Sequence, residues 1–93
     1  MTYKLKFEKR AWKEWEKLGY PVKEQFKKKL TERLENPRVP NDKLSGHADR
    51  YKIKLRSAGY RLIYQVFDDE VVVSVIAVGK RENSDIYNTA SSR

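Results

Sequence analysis

The segment from residue 50 to residue 61, RYKIKLRSAGYR, constrains the fold of this chain more than any other. Apolar and basic side chains alternate strictly before a glycine, which predicts a β-strand followed by a turn, because successive strand side chains point to opposite faces. The apolar set is Tyr51, Ile53 and Leu55, and the basic set is Lys52, Lys54 and Arg56. The segment holds five basic residues and no acidic one, so its polar side predicts an anion-binding surface.

Two helices are predicted before this strand. The first begins at Lys9, places Ala11, Trp12, Trp15 and Leu18 at helical spacing, and is expected to end at Gly19 in the left-handed conformation. The second begins at Pro21 and ends before Asn36-Pro37, because proline suits a first helical turn and restricts the residue before it. Its apolar stripe is Val22, Phe26, Leu30 and Leu34, and its opposite, solvated face is expected to carry Lys23, Lys27, Lys28 and Arg33.

The remaining segments predict a mostly antiparallel four-stranded sheet with the helical hairpin packed on one face, an α+β fold. TYKLKFE is the first strand, YRLIYQVF the third, and the nearly continuous apolar run EVVVSVIAV the central strand, which Gly79 interrupts. The order is β-α-α-β-β-β, followed by a short C-terminal helix in SDIYNT. We expect one domain spanning residues 1–93.

Composition narrows the classes of partner. Twenty-one Lys and Arg against thirteen Asp and Glu give a net charge of +8, which favours polyanionic partners such as nucleic acid, an acidic protein or an anionic membrane.

The absence of cysteine excludes disulfides and thiolate metal sites. No apolar run approaches the ~20 residues of a membrane span, and no signal-peptide core is present, so a cytoplasmic protein without a membrane partner is expected.

Few residues suggest conventional catalysis. His47 is the only histidine and is interpreted as a loop residue, so no metal site and no cofactor is expected. Trp12 and Trp15 are interpreted mainly as core residues, and the Asp68-Asp69-Glu70 cluster as a solvated hairpin turn. The lysines of the second helix are typical of a solvated face.

The basic row of the strand is harder to explain by folding alone. Like charges about 7 Å apart repel by about 2 kcal/mol per pair at an effective dielectric of 20, before salt screening. A hairpin returns Arg61 beside Lys54, and Lys80 and Arg81 end the last strand, so all are expected to converge on one surface. Arg50, Arg56 and Lys80 are expected to make additional contacts with a bound anion. This concentration of basic side chains predicts a site that binds nucleic acid or phosphate.

Such a surface suits RNA cleavage by attack of the 2′-hydroxyl on the adjacent phosphate, which needs a base, an acid and cations. Lys54 is the best candidate for the base, because neighbouring cations lower a lysine pKa. Tyr87 is a candidate for stacking on a nucleobase. The alternative role for this side chain is the packing of a short helix.

These residues resemble the RelE family of bacterial and archaeal toxins, within the wider RelE/ParE superfamily. The resemblance covers nearly the whole chain, through KRAWKEW, KLSG, YKIKLRSAGYRLIYQV and VIAVGKRE. It implies a compact α+β fold related to microbial ribonucleases and a metal-independent endonuclease that cuts mRNA in the ribosomal 30S A site, against 16S rRNA. It also implies a RelB-like antitoxin that neutralises the toxin and with it binds operator DNA to repress their operon.

The resemblance also implies roles for residues of this sequence. Lys52 and Lys54 match the paired strand lysines, of which the second resembles the general base, and Arg61 matches a phosphate-binding arginine. Arg81 matches the general acid or leaving-group stabiliser, and Tyr87 the stacking tyrosine. ParE relatives that poison DNA gyrase share the scaffold and generally lack this set, so a non-catalytic gyrase-binding toxin is the alternative. One departure is the short polar C-terminus, NTASSR.

Overall fold

A computed structural model describes residues 2–44, 46, 49–55 and 59–80. Within these ranges the elements follow the predicted order. They are β1 (Lys4–Phe7), α1 (Lys9–Glu16), α2 (Tyr20–Glu35), a 3₁₀ turn (Pro40–Asp42), β2 (Arg50–Leu55), β3 (Tyr60–Phe67) and β4 (Val72–Lys80). The helix predicted in SDIYNT lies outside the described residues. Neither α1 nor α2 is long and apolar enough to cross a lipid bilayer.

The four strands form one mixed sheet in the order β1-β4-β3-β2. The two hairpins, β2 with β3 and β3 with β4, are antiparallel, whereas β1 lies parallel to β4. β4 therefore has a strand on each side, as its apolar sequence predicted. Within the described part of the chain, β2 is an edge strand that pairs with β3 alone.

The main core lies between the sheet and the two helices. Its large buried side chains include Trp15, Phe26, Leu30, Ile53, Leu62 and Tyr64. Trp15 is buried as predicted, whereas Trp12 packs its ring edge-on against Phe7 and remains 47% exposed. On the other side of the sheet, the described residues form a small apolar cluster of Ile63, Ile76 and Ala77, with Leu44 packed against it. The predicted packing of the helical hairpin on one face of the sheet is thus confirmed.

The predicted interruption of the last strand at Gly79 is wrong. β4 continues to Lys80, with Gly79 opposite Arg61 in the β3 register. The strand is supported on its other side after β1 ends, because the Val78 N–H donates to Glu14 Oε1 of α1 at 3.2 Å. A glycine can therefore remain in the strand, since neighbours on both sides hold the backbone there.

The prediction that Gly19 ends α1 in the left-handed conformation is also wrong. α1 ends at Glu16, and Lys17 is its C-cap in the right-handed region. Gly19 instead has φ −68° and ψ 157° and is the N-cap of α2, with Pro21 in the first turn. The short link leaves no room for a separate C-terminal motif, so the glycine serves the helix that follows it.

Gly19→Asp is expected to raise the free energy of unfolding by about 0.5–1 kcal/mol. An aspartate at an extended N-cap accepts hydrogen bonds from the first-turn N–H groups and complements the helix dipole. A Cβ at this position meets only Pro21 Cδ at 3.9 Å, so no clash opposes the gain. Urea unfolding measures the effect, with Gly19→Ala as the control that adds the Cβ without the cap. Equal stability of the two variants would contradict the capping argument.

A polar cluster joins the β3–β4 turn to the beginning of the chain. Arg38 donates two hydrogen bonds to Asp68, Nη1 to Oδ1 at 2.9 Å and Nη2 to Oδ2 at 2.7 Å. The Tyr3 hydroxyl donates to Asp68 Oδ1 at 2.7 Å, and Arg38 Nε donates to Asp49 Oδ1 at 3.3 Å. The turn is exposed as predicted, but Asp68 also ties three segments together. Hydrogen bonds from Arg38 and then Tyr3 lower the pKa of the Asp68 carboxyl.

This lowered pKa makes stability depend on pH. A carboxyl whose pKa is lower in the folded than in the unfolded state adds stability above the unfolded pKa and loses it as pH falls through the folded value. We expect wild-type stability to fall between about pH 5 and pH 2 more steeply than that of Asp68→Asn, with the two curves converging at the acid end. Urea unfolding at stepped pH measures both curves. Asp69→Asn, in the same turn, is the matched control, and an identical slope in Asp68→Asn would refute the assignment.

Candidate nucleic-acid interface

Burial alternates strictly along β2, as its sequence pattern predicted. Tyr51, Ile53 and Leu55 are buried against the helices, and the residues between them are half-buried. The basic side chains of the strand therefore belong to the side of the sheet away from the helices. We call this surface the lysine face, and define it as Arg50, Lys52 and Lys54 of β2 with Arg61 and Gln65 of β3.

The register of the β2–β3 hairpin brings the lysine face together. Lys54 lies directly opposite Arg61, Lys52 opposite Ile63, and Arg50 opposite Gln65. Directly opposed residues of antiparallel strands have their Cβ atoms about 4.5–5.5 Å apart and project to the same face. The predicted return of Arg61 beside Lys54 is therefore confirmed. Arg50 is held on this face by a 3.0 Å hydrogen bond from its Nε to Gln65 Oε1.

Next to these cations the same side of the sheet carries a small apolar cluster. Ile63 and Ala77 are cross-strand neighbours, and both are fully buried. Leu44 packs against this cluster, so these side chains are not open to a ligand. The basic side chains of the lysine face are half-buried and reach solvent, so they are the part of this side that a polyanion can contact.

Further positive charge lies at the opposite edge of the sheet. Leu5 and Phe7 of β1 are paired with Val73 and Val75, which belong to the helix-side core. The alternation of β1 therefore turns Lys4 and Lys6 toward the same side as the lysine face. Three strand spacings separate β1 from β2, or about 14 Å. Sequence reasoning identified this alternation but did not join β1 to the site, because the strand order was not yet known.

The β3–β4 register places Lys80 on a different side of the sheet from the other described site candidates. It lies opposite Tyr60, whose ring packs against the helix-side core. By strand alternation Lys80 belongs to that side of the sheet and not to the lysine face, although it is exposed at the end of β4. Arg56, Arg81, Tyr87 and His47 lie outside the described residues, so their sequence-based roles stay predictions.

Comparison with known proteins places this site in a family. A family model described as the ParE toxin of type II toxin–antitoxin systems, parDE, matches residues 5–84. The chain belongs to the ParE toxin family of type II toxin–antitoxin systems. It is a RelE-like member: it is 61% identical to the mRNA interferase toxin RelE of Escherichia coli K12 over 93 residues, covering all of this chain and 98% of that protein. The predicted resemblance to RelE is confirmed.

Solved structures agree with this placement. A double mutant of E. coli RelE in the free state superposes with a TM-score of 0.92 at 60% identity, covering 100% of this chain and 98% of that one. RelE in the intact E. coli RelBE toxin–antitoxin complex superposes with a TM-score of 0.84 at 63% identity, covering 87% and 99%. The α+β fold predicted from sequence is therefore the fold of RelE.

Behind the lysine face, the toxin contains a polar network centred on Arg33 of α2. Arg33 Nη1 donates to the Tyr64 hydroxyl at 3.0 Å and to the Lys52 carbonyl oxygen at 3.3 Å, and Nη2 forms an ion pair with Asp42. The Tyr64 hydroxyl in turn donates to the Pro37 carbonyl oxygen at 2.6 Å. A residue of the candidate site is thus tied to a helix, a 3₁₀ turn and a loop.

The two central groups of this network have shifted pKa values. Burial alone would lower the pKa of Arg33, but the hydrogen bond to Tyr64 and the Asp42 carboxylate outweigh it and raise that pKa. Burial raises the pKa of the Tyr64 hydroxyl, partly opposed by the adjacent guanidinium of Arg33. Arg33 therefore stays charged and Tyr64 neutral at physiological pH, which preserves the donor and acceptor roles seen here.

The expectation that Arg33 lies on the solvated face of α2 is wrong, since its side chain is only 13% exposed. The signal was present in the sequence. Arg33 follows Phe26 by seven residues and Leu30 by three, and both spacings place it on the apolar stripe of the helix. A lone arginine on such a stripe indicates a buried charge that needs an acidic partner. Which residue supplies it depends on the loop that contains Asp42, and that loop has no periodic pattern.

A cavity of about 580 Å³ lies between α2 and the outer edge of β2 in the toxin. Its lining is Gln25, Lys29, Arg33, Asp42, Ile53, Lys54 and Leu55. The side chains from α2 are spaced by four residues along one helix face. The cavity therefore lies between the helix and the strand that carries Lys54, and Arg33, which contacts both sides, is part of its lining.

Tyr64→Phe in the toxin is expected to lower the free energy of unfolding by about 1–3 kcal/mol. The change keeps the buried ring but removes the hydroxyl that donates to the Pro37 oxygen and accepts from Arg33, leaving both partners less satisfied. Chemical denaturation measures the loss. Tyr20→Phe, at a tyrosine that is 74% exposed, is the matched control and should change stability by less than about 0.5 kcal/mol. A neutral Tyr64→Phe would contradict the network.

Proposed function

We propose that this toxin is an mRNA interferase that cleaves mRNA on the ribosome, with the lysine face as its RNA-binding and catalytic surface. The observation that carries the proposal is the direct opposition of Lys54 and Arg61 on the side of the sheet away from α1 and α2. It is supported by curated relatives that are 61% identical over their length and are named mRNA interferases. The chain is an endoribonuclease of this class.

In this mechanism the 2′-hydroxyl of one nucleotide attacks the adjacent phosphate. Lys54 accepts the proton of the hydroxyl, and Lys52 and Arg61 stabilise the charge that develops on the phosphoryl oxygens. The bond between phosphorus and the 5′-oxygen breaks as the 2′-oxygen binds phosphorus. We assign Arg81 to protonating or stabilising this leaving 5′-oxygen, and Tyr87 to stacking on a base. Arg50 and Arg56 bind flanking phosphates, and Lys80 binds from the other side of the strand end. Every role is taken by a side chain of the protein, so the scheme uses no metal ion or cofactor.

The partners follow from the same assignment. RelE is seen with its antitoxin in the E. coli RelBE complex, and we propose that a RelB-like antitoxin neutralises this toxin and joins it on operator DNA. A net charge of +8 favours an acidic antitoxin segment as well as ribosomal RNA. We place the toxin in the cytoplasm, where translating ribosomes hold mRNA in the A site, and propose that its 93 residues act as one domain.

A second function is favoured by the family description, which refers to parDE. A ParE-like toxin acting on DNA gyrase would use the same scaffold without cleaving RNA. The two functions predict different products: truncated mRNA in one case and double-strand breaks in DNA in the other. The direct pairing of Lys54 and Arg61 on one face favours the ribonuclease. A toxin that only binds its target does not need a lysine base placed next to a phosphate-binding arginine.

The purified toxin is expected to cut mRNA within the A-site codon of programmed ribosomes and to leave free mRNA largely intact. Lys54→Ala combined with Arg81→Ala should lower the single-turnover cleavage rate by at least about a hundredfold, because it removes the base and the group that stabilises the leaving oxygen. Primer extension maps the cut, and quenched-flow sampling measures the rate.

The matched control is Lys27→Ala with Lys28→Ala, which removes the same number of positive charges from the exposed face of α2. Its rate should stay within about threefold of wild type at saturating toxin. Intact A-site mRNA with the wild-type toxin would refute the proposed function. DNA double-strand breaks in cells without mRNA cleavage would establish the gyrase alternative.

A further inference from the structure

The two lysines at the centre of the proposed site lie on an edge strand of the sheet. Among the strands that the structure describes, β2 pairs with β3 alone. Edge strands open more readily than central ones, because one side of the backbone lacks a ladder of hydrogen bonds. A site that depends on the directions of Lys52 and Lys54 therefore needs another source of rigidity on the outer side of β2.

The contacts on that outer side are specific. The Leu44 N–H donates to the Arg50 carbonyl oxygen at 2.9 Å, and Lys43 forms an isolated bridge with Tyr51. One step further along, Arg33 Nη1 donates to the Lys52 carbonyl oxygen at 3.3 Å. The Arg50 and Lys52 carbonyls both point outward, as the period of two requires. Arg33 thus donates the hydrogen bond that the backbone N–H of the next residue of a neighbouring strand would otherwise donate to β2.

The guanidinium that makes this contact is itself held firmly. Asp42 binds it from the 3₁₀ turn, and the Tyr64 hydroxyl, fixed by the Pro37 carbonyl, accepts from the same Nη1. The Arg33 carbon Cζ also lies 5.9 Å from the centre of the Tyr64 ring. Arg33 therefore has little freedom to move, and it transmits this restriction to the peptide group between Lys52 and Ile53.

We propose that Arg33 is a positioning residue for RNA cleavage: it holds the Lys52 carbonyl and so sets the directions of the Lys52 and Lys54 side chains on the lysine face. This inference rests on the proposed function. Arg33 contacts the outer edge of β2 behind the lysine face, so its effect is on geometry. Displacing a catalytic group by about 1 Å is enough to lower a rate a hundredfold, so a modest loosening of β2 is measurable.

The test compares Arg33→Met and Arg33→Lys with the wild type in single-turnover cleavage on programmed ribosomes, with rates expressed per folded protein. Both variants should lower the maximal rate about tenfold and change the half-saturating toxin concentration less than twofold. Arg33→Lys keeps the positive charge but has no planar fork to reach Lys52, Tyr64 and Asp42 together. If the charge alone mattered, Arg33→Lys would cleave at the wild-type rate, and the positioning proposal would be wrong.

A double-mutant comparison separates positioning from general destabilisation. In a background that carries both Lys52→Ala and Lys54→Ala, Arg33→Met should change the remaining rate by less than twofold, because both side chains that it orients are gone. A tenfold loss in that background as well would show that Arg33 acts independently of the two lysines and would overturn the proposal. Arg38→Met, which removes the arginine of the other ion-paired cluster, is the matched control and should keep the wild-type rate per folded protein.

A measurement without cleavage keeps this inference separate from the proposed function. NMR chemical shifts of the Lys52 and Lys54 side-chain Cε–Hε groups should change in Arg33→Met and stay unchanged in Arg38→Met. If wild-type toxin fails to cut ribosome-bound mRNA, the proposed function is refuted, and the NMR comparison still decides whether Arg33 orients the lysines. Unchanged lysine shifts in Arg33→Met would overturn the positioning role whatever the cleavage result.

Discussion

The structure depends on packing both described helices, α1 and α2, against the same side of the sheet. Each strand must then send alternate side chains into one shared core, and this requirement sets the register of β2 against β3 with little freedom, since a shift by one residue would bury Lys52 or Lys54. The same register places Lys54 opposite Arg61. The charged surface is therefore a direct consequence of how the core is built, and no separate loop is needed to assemble it.

Much of this arrangement could be predicted from the sequence, because it follows from short-range periodicity. The alternation of apolar and basic residues predicted β2 and its buried side. The stripe of Phe26 and Leu30 did the same for α2, and the apolar run predicted β4 as a central strand. The predictions at Gly19 and Gly79 were wrong for a common reason: a glycine fits several backbone states, and neighbouring elements decide which one is used. Lys80 was assigned to the wrong side because its face depends on the β3–β4 register, which carries a bulge next to Ile63.

Arg33 illustrates a different limit. Helical spacing places it on the apolar stripe, but its partners Asp42 and Tyr64 come from the 3₁₀ turn and from β3. A charged arginine with so little exposure is tolerated only where an ion pair and hydrogen bonds offset its desolvation. Those partners depend on the path of residues 36–49, which has no periodic signal. Local pattern can therefore identify a buried charge, whereas the contacts that satisfy it require the three-dimensional fold.

The family assignment explains why the scaffold alone does not determine the target. Helices on one side of a sheet leave the opposite side available, and different side chains on that side can serve different targets on the same fold. In this chain the side away from α1 and α2 has Lys54 and Arg61 as cross-strand neighbours, beside the buried apolar cluster of Ile63, Ile76 and Ala77. Like charges directly opposite each other on a sheet repel, and an anion bound between them offsets that repulsion. The target is therefore set by the side chains that the register brings together on this side, and not by the scaffold.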